Sequence, residues 1–286
     1  MVSADGQPGN PGADAVARGA RVTFAKLDHD PELAPQFAAA DPFPHLVIDG
    51  LFPDAELCAV LAEIKSADVA AEINGYGSFN KRRISDVFAM RPNTRRLIEN
   101  LNSAPFIQYL EAVTGICGLI PDPYLEGGGV HQIGAGGFLK VHTDFNWHRR
   151  LSLHRRINLL VYLNEDWRDE WNGQLELWRP DMSACAVRIA PLFNRTVIFA
   201  TTDFSFHGHP DALACPTGVT RNSIAMYYYS ATRPAEEIRY RASEMTNYQQ
   251  RPNESFGRGR IKHAIHQAQI RSRLLRRLLK PFHRSR

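Results

Sequence analysis

His142, Thr143 and Asp144 are the residues whose types and spacing most directly indicate chemistry in this chain. They lie in a run of apolar and β-branched residues that follows two glycines, a pattern typical of a strand entered from a turn. Successive side chains of a strand point to opposite faces, so His142 and Asp144 should lie on the same face. An imidazole and a carboxylate in this arrangement supply two of the three ligands in the facial triad that holds non-haem iron(II).

The third ligand should be a histidine on a later strand, and the segment 204–210 offers two. His207 and His209 are two residues apart, so both could face the same way. A histidine two residues before an aspartate is common by chance in a chain with eleven histidines, and the simpler interpretation is a surface strand in which His142 pairs with Asp144. Zinc is an alternative metal, because the same ligands would give it a four-coordinate site with one water.

Arg221 and Ser223 favour the iron interpretation. They begin a strand-like run, 221–230, and are two residues apart, so both side chains should point the same way. Two imidazoles and one carboxylate leave three adjacent positions open on iron, which suit bidentate 2-oxoglutarate and dioxygen. The far carboxylate of 2-oxoglutarate then needs a cationic partner, and the planar fork of arginine is suited to bind it.

Five segments accompany these residues along the chain. They are Gly127–Gln132 (GGGVHQ), His142–Asn146 (HTDFN), Arg156–Asn164 (RINLLVYLN), Leu175–Trp178 (LELW) and Ser205–Pro210 (SFHGHP). In these segments the sequence resembles the prolyl-4-hydroxylase-like branch of the 2-oxoglutarate/iron(II) dioxygenases, especially a bacterial group, over about residues 42 to 235. One departure is Asn172-Gly173, where the family often has two glycines. This is a turn position that bears little on the chemistry.

The resemblance implies a mostly β fold with flanking helices, built around a double-stranded β-helix. This is a jelly-roll, cupin-like core whose open mouth holds the metal. The resemblance places the third ligand in the Ser-Phe-His-Gly segment, which favours His207 and leaves His209 at the rim or in a supporting position. It also implies a co-substrate pocket lined by Asn158 and Tyr162, although Tyr162 alone would suit an ordinary core aromatic.

The implied activity is that of an iron(II)/2-oxoglutarate-dependent hydroxylase that consumes dioxygen and releases succinate and CO2, with ascorbate as a candidate reductant. The substrate would be a peptidyl residue, with proline as the first guess, or a small metabolite. The carboxylate of Asp144 argues against a halogenase, which needs that ligand position free for chloride. The alternative, from another class of protein, is a non-catalytic jelly-roll binding module recruited by a basic tail.

Other polar residues could border the mouth of the pocket. Weak candidates for substrate contact or for the rim are His131, Gln132, Asn146, Arg156 and His209. The polar stretch 146–156 is expected to be a loop over the mouth, with His148 and His154 in solvent. Lys81–Arg83 is expected in a loop before the β core, as a solvated charge run or as a lid that contacts an anionic or peptide substrate.

The elements expected to position these residues are a helical leader and then a series of short strands. The leader has a strand at 45–49 and helices at 54–65, about 93–101 and about 103–114. Eight strand candidates follow, at 129–134, 138–145, 156–164, 174–178, 185–189, 195–201, 205–209 and 222–230. Eight strands after a helical leader suit the jelly-roll.

Composition divides the chain into three parts. We expect a disordered segment at 1–20, a dioxygenase domain at 21–250 with a helical leader at 21–120 and a jelly-roll core at 121–235, and a basic helical tail at 251–286. Residues 255–286 hold ten Lys and Arg and no acidic residue, and because the whole chain is +4, residues 1–254 carry −6. The tail could contact the catalytic body through an apolar stripe, or contact an anionic surface through its cations. The stripe is Ile270, Leu274, Leu275, Leu278 and Leu279.

Several classes of protein are disfavoured. The four cysteines are widely spaced with no C-x-x-C pair, which argues against a zinc knuckle or a disulfide framework. No apolar run approaches the ~20 residues of a membrane span, and the first 30 residues lack the apolar core of a secretory signal. No clear nucleic-acid-binding motif is present, and a cytoplasmic location is expected.

Overall fold

The computed structural model describes residues 30–67, 71–73, 77–239, 245–252, 254, 264–265 and 267–268. The expected disorder of residues 1–20 and the apolar stripe expected from Ile270 to Leu279 lie outside the described residues. Within the described part of the chain, no helix combines the length and the apolar character needed to cross a membrane.

Four α-helices lie before the main strands; three have bounds close to those expected from the sequence, and the first was not expected. They are α1 (Leu33–Ala39), α2 (Asp54–Lys65), α3 (Pro92–Leu101) and α4 (Ala104–Thr114), with short 3-10 turns at Val87–Ala89, Asp169–Trp171 and Ala235–Glu237. A proline lies in the first turn of both α3 and α4, where its missing N–H costs no hydrogen bond. Ser103 precedes α4, but its side chain makes no capping hydrogen bond. Gly115 ends α4 with a φ of 68°, the left-handed conformation typical of a C-cap.

The strands of the described residues form one curled antiparallel sheet. They are β1 (His45–Asp49), β2 (Ala71–Ile73), β3 (Ser78–Ile84), β4 (Ile120–Pro121), β5 (Gly129–Thr143), β6 (Trp147–His148), β7 (Leu153–Tyr162), β8 (Leu175–Trp178), β9 (Cys185–Ile189), β10 (Arg195–Ala200), β11 (Phe206–His209), β12 (Arg221–Ser230) and β13 (Asn247–Tyr248). The hydrogen-bonded order is β1-β10-β7-β12-β5-β11-β8-β9, with β3 and β13 both paired to β5. This mostly β jelly-roll with flanking helices confirms the expected fold class.

The central strand β7 separates two environments by simple alternation. Ile157, Leu159 and Val161 pack against the helices in the largest hydrophobic core, whereas Asn158 and Leu160 line a cavity inside the curl. Full burial of such an aliphatic side chain contributes roughly 1.5–3 kcal/mol. A shift of one residue would exchange the two faces, so packing of the helical layer fixes the register and turns the polar face toward the cavity.

β5 runs without interruption where two strands were expected, at 129–134 and 138–145. Three glycines lie at its centre, and a Cβ on Gly137 would lie 2.4 Å from the side chain of Ile133. Gly136 has a φ of 76°, which glycine adopts readily. The glycines therefore let the strand bend while its hydrogen bonding continues. Its first half pairs with β12 and its second half with β11, so β5 joins the two sides of the curl.

The segment 81–83 was expected to be a loop and is part of a strand instead. It lies within β3, where Lys81 pairs with Ile133 and Arg83 pairs with His131 of β5. The sequence did not predict this strand, because a run of three charged residues shows no apolar alternation. Lys81 and Arg83 therefore lie on the wall of the jelly-roll, whereas Arg82 is exposed to solvent.

The expected loop at 146–156 is also wrong, since it contains β6 and the beginning of β7. His148 is fully buried and not solvated, with its Nε2 3.2 Å from Oδ1 of Asp122. His154 is only partly buried. The polar residues here have partners inside the fold, so their polarity did not indicate exposure.

Residues near position 250 pack against the strand that carries His142. β13 pairs with β5, with Tyr248 opposite His142. Lys140 Nζ donates to Glu254 Oε1 at 2.7 Å, and Gln267 Nε2 donates to the Tyr248 carbonyl oxygen at 2.8 Å. The described parts of the expected tail thus contact the jelly-roll beside the cavity.

Candidate metal and co-substrate site

The side chains of His142, Asp144 and His207 converge inside the curl. His142 on β5 lies directly opposite His207 on β11, and Asp144 follows the end of β5. Nε2 of His142 is 3.5 Å from Oδ1 of Asp144, and Nε2 of His207 is 3.4 Å from Oδ2. One donor atom from each residue lies within 4.8 Å of the other two. Two imidazoles and one carboxylate at this spacing fit the facial donor set that iron(II) prefers.

Backbone carbonyls fix the orientation of both imidazole rings. Nδ1 of His142 lies 2.7 Å from the Lys140 oxygen, and Nδ1 of His207 lies 2.9 Å from the Ser205 oxygen. A carbonyl oxygen can only accept, so each Nδ1 carries the proton and each Nε2 directs its lone pair at the centre. Burial, and next the charge of His142, lower the pKa of His207 to about 4. The ring is therefore neutral near pH 7, as metal binding requires.

Asp144 is held as an ionised carboxylate by two neighbours on β7. Asn158 Nδ2 donates to its Oδ2 at 2.6 Å, and Arg155 Nη2 lies 3.1 Å from the same oxygen. Burial raises the pKa of Asp144, but the charges of Arg155 and His207 outweigh that effect and hold the pKa well below its ordinary value. The negative charge at the centre is thus present before any cation binds.

Arg155 is the important residue here that sequence reasoning missed. Its guanidinium donates twice to Asn158 Oδ1, at 2.8 and 2.6 Å, and lies 3.4 Å from the ring centroid of Tyr227. Its side chain is fully buried. A cation stacked on an aromatic ring and paired with a carboxylate is held rigidly, so Arg155 positions both Asp144 and Asn158.

A β-bulge in β7 turns Arg155, and not the rim candidate Arg156, toward the cavity. Strict alternation from Asn158 would turn residue 156 toward the cavity. However, β12 pairs Tyr228 with Ile157 and Tyr229 with Arg155, so residue 156 is skipped and the alternation shifts by one. Arg156 instead lies 3.2 Å from Glu237 Oε1 and does not line the cavity.

Arg221 lies at the far side of the cavity, in an arrangement suited to bind a carboxylate. Its Nε donates to the Gly173 carbonyl at 2.7 Å, and its Nη2 donates to the Tyr162 hydroxyl at 3.1 Å. The Tyr162 ring lies 4.8 Å from the guanidinium carbon, and burial raises the pKa of Tyr162. These contacts aim the guanidinium, and Ser223 lines the cavity beside it.

Gly173 is required by this arrangement. Its φ is 83°, and a Cβ there would lie 2.6 Å from Leu213 and 3.1 Å from Cδ of Arg221. Asn172 before it also has a positive φ, of 59°. The Asn-Gly pair is therefore a turn in which Gly173 is needed for close approach. Asn172, with φ 59° and ψ −156°, occupies a region of backbone conformation that is otherwise almost confined to glycine.

The cavity between the triad and Arg221 has a volume of about 210 Å³. His131 and His209 both line it. Neither ring nitrogen of His209 has a hydrogen-bond partner among the described residues. Burial, then Arg221 and Lys81, lower its pKa well below the ordinary value. His209 thus presents a neutral imidazole to the cavity.

Two further residues expected at the rim are not part of the described cavity wall. Gln132 points to the opposite face of β5 from His131, and its Nε2 lies 3.2 Å from Asn222 Oδ1. Asn146 is buried and donates to Asp203 Oδ1 at 2.9 Å. Both amides have structural partners outside the cavity, a distinction that polarity alone could not reveal.

The wall opposite β12 comes from β3 and β13, two strands that the sequence did not predict. Lys81 and Arg83 of β3 line it, and Arg82 between them is exposed. Tyr248 of β13 lines it too, with its ring centroid 5.5 Å from that of His142. A Cβ on Gly77 would collide with the Tyr248 ring, so the glycine permits the two edges to meet.

Comparison with known proteins agrees with this geometry. Residues 128–229 match the model of the 2OG-Fe(II) oxygenase superfamily. No curated protein matches the chain in sequence.

Solved structures share its fold at low sequence identity. A prolyl 4-hydroxylase from Phytophthora capsici is 21% identical with a TM-score of 0.53, over 75% of this chain and 68% of that one. A Trichoplax adhaerens prolyl hydroxylase, in complex with a hypoxia inducible factor peptide fragment, is 18% identical with a TM-score of 0.51, over 70% and 90%. HygX from Streptomyces hygroscopicus, with nickel and 2-oxoglutarate bound, is 14% identical with a TM-score of 0.50, over 75% and 96%.

The fold, the donor set and the matched segment together define a 2-oxoglutarate-dependent dioxygenase. Its cofactors are iron(II) and 2-oxoglutarate, as the sequence led us to expect. Its fold is similar to that of the prolyl hydroxylases from Phytophthora capsici and Trichoplax adhaerens.

Proposed function

We propose that this dioxygenase hydroxylates an unactivated C–H bond of a small metabolite or a peptidyl residue, with proline as the first guess for the latter. Iron(II), 2-oxoglutarate and dioxygen would supply the oxidation, with succinate and CO2 as co-products. The observation that carries the proposal is the pairing of the His142–Asp144–His207 donor set with a guanidinium across a single cavity. A non-catalytic binding module would need neither feature.

The roles of the residues follow from their contacts. His142, Asp144 and His207 would hold the metal, because their donor atoms face a common centre. Arg221 would bind the far carboxylate of 2-oxoglutarate with Ser223, since its remaining donors face the cavity while Gly173 and Tyr162 hold it in place. Arg155 and Asn158 would orient the carboxylate ligand.

The size of the cavity supports a small reacting group. Its volume of about 210 Å³ is below the roughly 300–1,000 Å³ of drug-sized ligand pockets. With 2-oxoglutarate bound, the remaining space would suit one extended side chain or a compact molecule. One structural relative binds a peptide fragment, which supports a peptidyl substrate, and the small cavity also suits a compact metabolite.

The decisive experiment is succinate release by the full chain with iron(II), 2-oxoglutarate and ascorbate, against a panel of peptides, amino acids and metabolites. Wild-type protein should consume 2-oxoglutarate only when iron is present, and one substrate should increase the rate. Absence of the visible charge-transfer band of an iron–2-oxoglutarate complex, together with absence of turnover, would contradict the proposal and leave a binding module.

Two wider proposals accompany this one. The four cysteines are unpaired, which supports a reducing compartment such as the cytoplasm. The ten cations of residues 255–286 support contact of the tail with the acidic catalytic body or with an anionic surface.

A further inference from the structure

Lys81 and Arg83 form a pair of cations on the wall of the cavity opposite β12. They are two residues apart on β3, so both point inward, while Arg82 points out and is exposed. The backbones of Lys81 and Arg83 are paired in the sheet, but neither side chain has a hydrogen bond or an ion pair to another described residue. A solvated charge run would not place two of its three members inside a cavity.

The register of the sheet aligns this pair with the proposed co-substrate site. Lys81 pairs with Ile133, which pairs with Arg221, and Arg83 pairs with His131, which pairs with Ser223. Directly paired residues of antiparallel strands share a face. Two strand spacings separate the backbones of β3 and β12, about 10 Å. The cation pair therefore lies beside the anchor for 2-oxoglutarate and not at the same place.

The charges of the cavity wall are strongly unbalanced. Its charged lining residues are four cations, Lys81, Arg83, Arg155 and Arg221, and one carboxylate, Asp144. Arg155 is paired with Asp144 at 3.1 Å. In the proposed function Arg221 binds one carboxylate of 2-oxoglutarate, and the metal binds the other. Lys81 and Arg83 then have no ion pair among the described residues, and the more distant charge of Asp144 offsets only part of the effect of burial and of Arg83 on the pKa of Lys81.

Two unpaired cations in a partly desolvated cavity repel each other and lose hydration. Burial, and next the charge of Arg83, lower the pKa of Lys81 to about 8. The same two cations disfavour the charged form of His131, whose pKa burial already lowers. An anion between Lys81 and Arg83 would relieve both effects, and arginine and lysine are the residues that commonly bind carboxylates.

We propose that Lys81 and Arg83 bind a carboxylate of the primary substrate, so that the substrate is a small carboxylic acid. The inference rests on the proposed function, because it assigns the remaining anion site only after 2-oxoglutarate has its own partners. The limited cavity volume agrees with a compact acid, whose carboxylate on β3 would direct its C–H bonds toward the metal centre.

The test uses the full chain loaded with manganese(II) and saturating 2-oxoglutarate. Ligands are matched acid and amide pairs: L-proline and L-prolinamide, N-acetyl-L-proline and N-acetyl-L-prolinamide, and further amino acids with their amides. Calorimetric titration should show at least one acid binding about tenfold or more tightly than its amide. Lys81→Gln and Arg83→Gln should each weaken that acid by about ten- to a hundred-fold. Arg82→Gln, the matched control, should not.

Several results would overturn the inference. The first is that no acid binds more tightly than its amide. The second is that Arg82→Gln loses as much affinity for the acid as Lys81→Gln and Arg83→Gln do. The third is that inorganic phosphate or an acidic peptide binds more tightly than every small acid. Loss of 2-oxoglutarate binding in Lys81→Gln would also overturn it, since Lys81 would then belong to the co-substrate site. These outcomes are distinct from failure of the proposed function, which would show as absence of the iron–2-oxoglutarate band in the wild type.

Discussion

The cavity has two walls that differ in how their charges are partnered. On the metal wall, Asp144 is bound by Arg155 and Asn158, and both proposed histidine ligands are oriented by backbone carbonyls. On the β3 wall, Lys81 and Arg83 face the same space without a partner among the described residues. The charged groups of the metal wall have partners before a ligand binds, whereas the two cations of the β3 wall would gain a partner only from a bound ligand.

This difference indicates which wall favours a metal cation and which favours an anion. Preorganised donors favour a cation of fixed geometry, because no rearrangement is needed when it binds. Unpaired cations favour a mobile anion, because the ligand itself removes the repulsion. Variants that alter one wall and leave the other intact should therefore separate metal binding, co-substrate binding and substrate binding.

The largest effect should follow removal of the carboxylate from the metal wall. Asp144→Ala should abolish iron-dependent 2-oxoglutarate consumption, because it removes a proposed metal ligand. It should also lower the free energy of unfolding, because the buried Arg155 loses its partner, while the hydrophobic cores that hold the sheet stay intact. Succinate release measures the activity, and circular dichroism checks the fold. Substantial turnover in the variant would contradict the assignment of the triad.

A second pair of variants serves as the control within β11. His207→Ala should be inactive, because its Nε2 faces Asp144 at 3.4 Å. His209→Ala should keep measurable turnover, because His209 lines the cavity but lies outside the donor group. Equal loss in both variants would place His209 among the essential groups.

The next largest effect should come from the cation that supports the metal wall. Arg155→Met removes one partner of a buried pair, which typically costs about 3–5 kcal/mol of unfolding free energy. It also removes the guanidinium that positions Asp144 and Asn158, so the donor set loses its geometry and iron affinity should fall. Urea denaturation and metal titration measure the two effects. Arg156→Gln is the matched control, since Arg156 pairs with Glu237 outside the cavity, and its iron affinity should remain close to that of the wild type.

The co-substrate anchor should give an intermediate effect. Arg221→Lys keeps the charge but loses the fork that Gly173 and Tyr162 orient. A lost charge-assisted hydrogen bond costs about 1.5–3 kcal/mol, or roughly ten- to a hundred-fold in affinity. The KM for 2-oxoglutarate should rise by that factor with little change in iron binding. An unchanged KM would assign the co-substrate to another cation, of which Lys81 is the nearest alternative on the β3 wall.

The β3 wall should produce a smaller, pH-dependent effect on stability. The pKa of Lys81 is lowered from 10.5 to about 8, chiefly by burial. Between these pH values the Lys81 amine is protonated to a greater extent in the unfolded chain than in the folded chain, so the free energy of unfolding increases as the pH rises. The free energy of unfolding of the wild type should therefore rise relative to that of Lys81→Gln from about pH 8 to about pH 10. Below pH 8 the difference in unfolding free energy between the two proteins should be constant. A flat difference across this range would mean that Lys81 is not desolvated.

The metal wall was predictable from sequence and the β3 wall was not, for physical reasons. His142, Asp144, His207 and Arg221 lie on or beside central strands whose apolar alternation is set by the helical core. β3 reads Ser-Phe-Asn-Lys-Arg-Arg-Ile and buries only its two ends, so its pattern resembles a loop. The position of Arg155 at the cavity was not predicted, because a β-bulge shifts the alternation by one residue. A bulge depends on the partner strand and is not visible in the sequence of β7 alone.

The smallest effect should come from shortening the C-terminal segment, and two truncations sharpen the comparison. Deleting residues 269–286 removes no described contact to the cavity wall, so 2-oxoglutarate consumption should stay within about twofold of the wild type. Deleting residues 259–286 also removes Gln267, which donates to Asn247 and Tyr248 of β13. Each such bond contributes about 0.5–1.5 kcal/mol, and Tyr248 packs beside His142. The longer deletion should therefore lower the melting temperature and weaken acid binding modestly, while iron binding persists. If the shorter deletion abolishes turnover, the basic segment belongs to the catalytic body and is not an accessory to it.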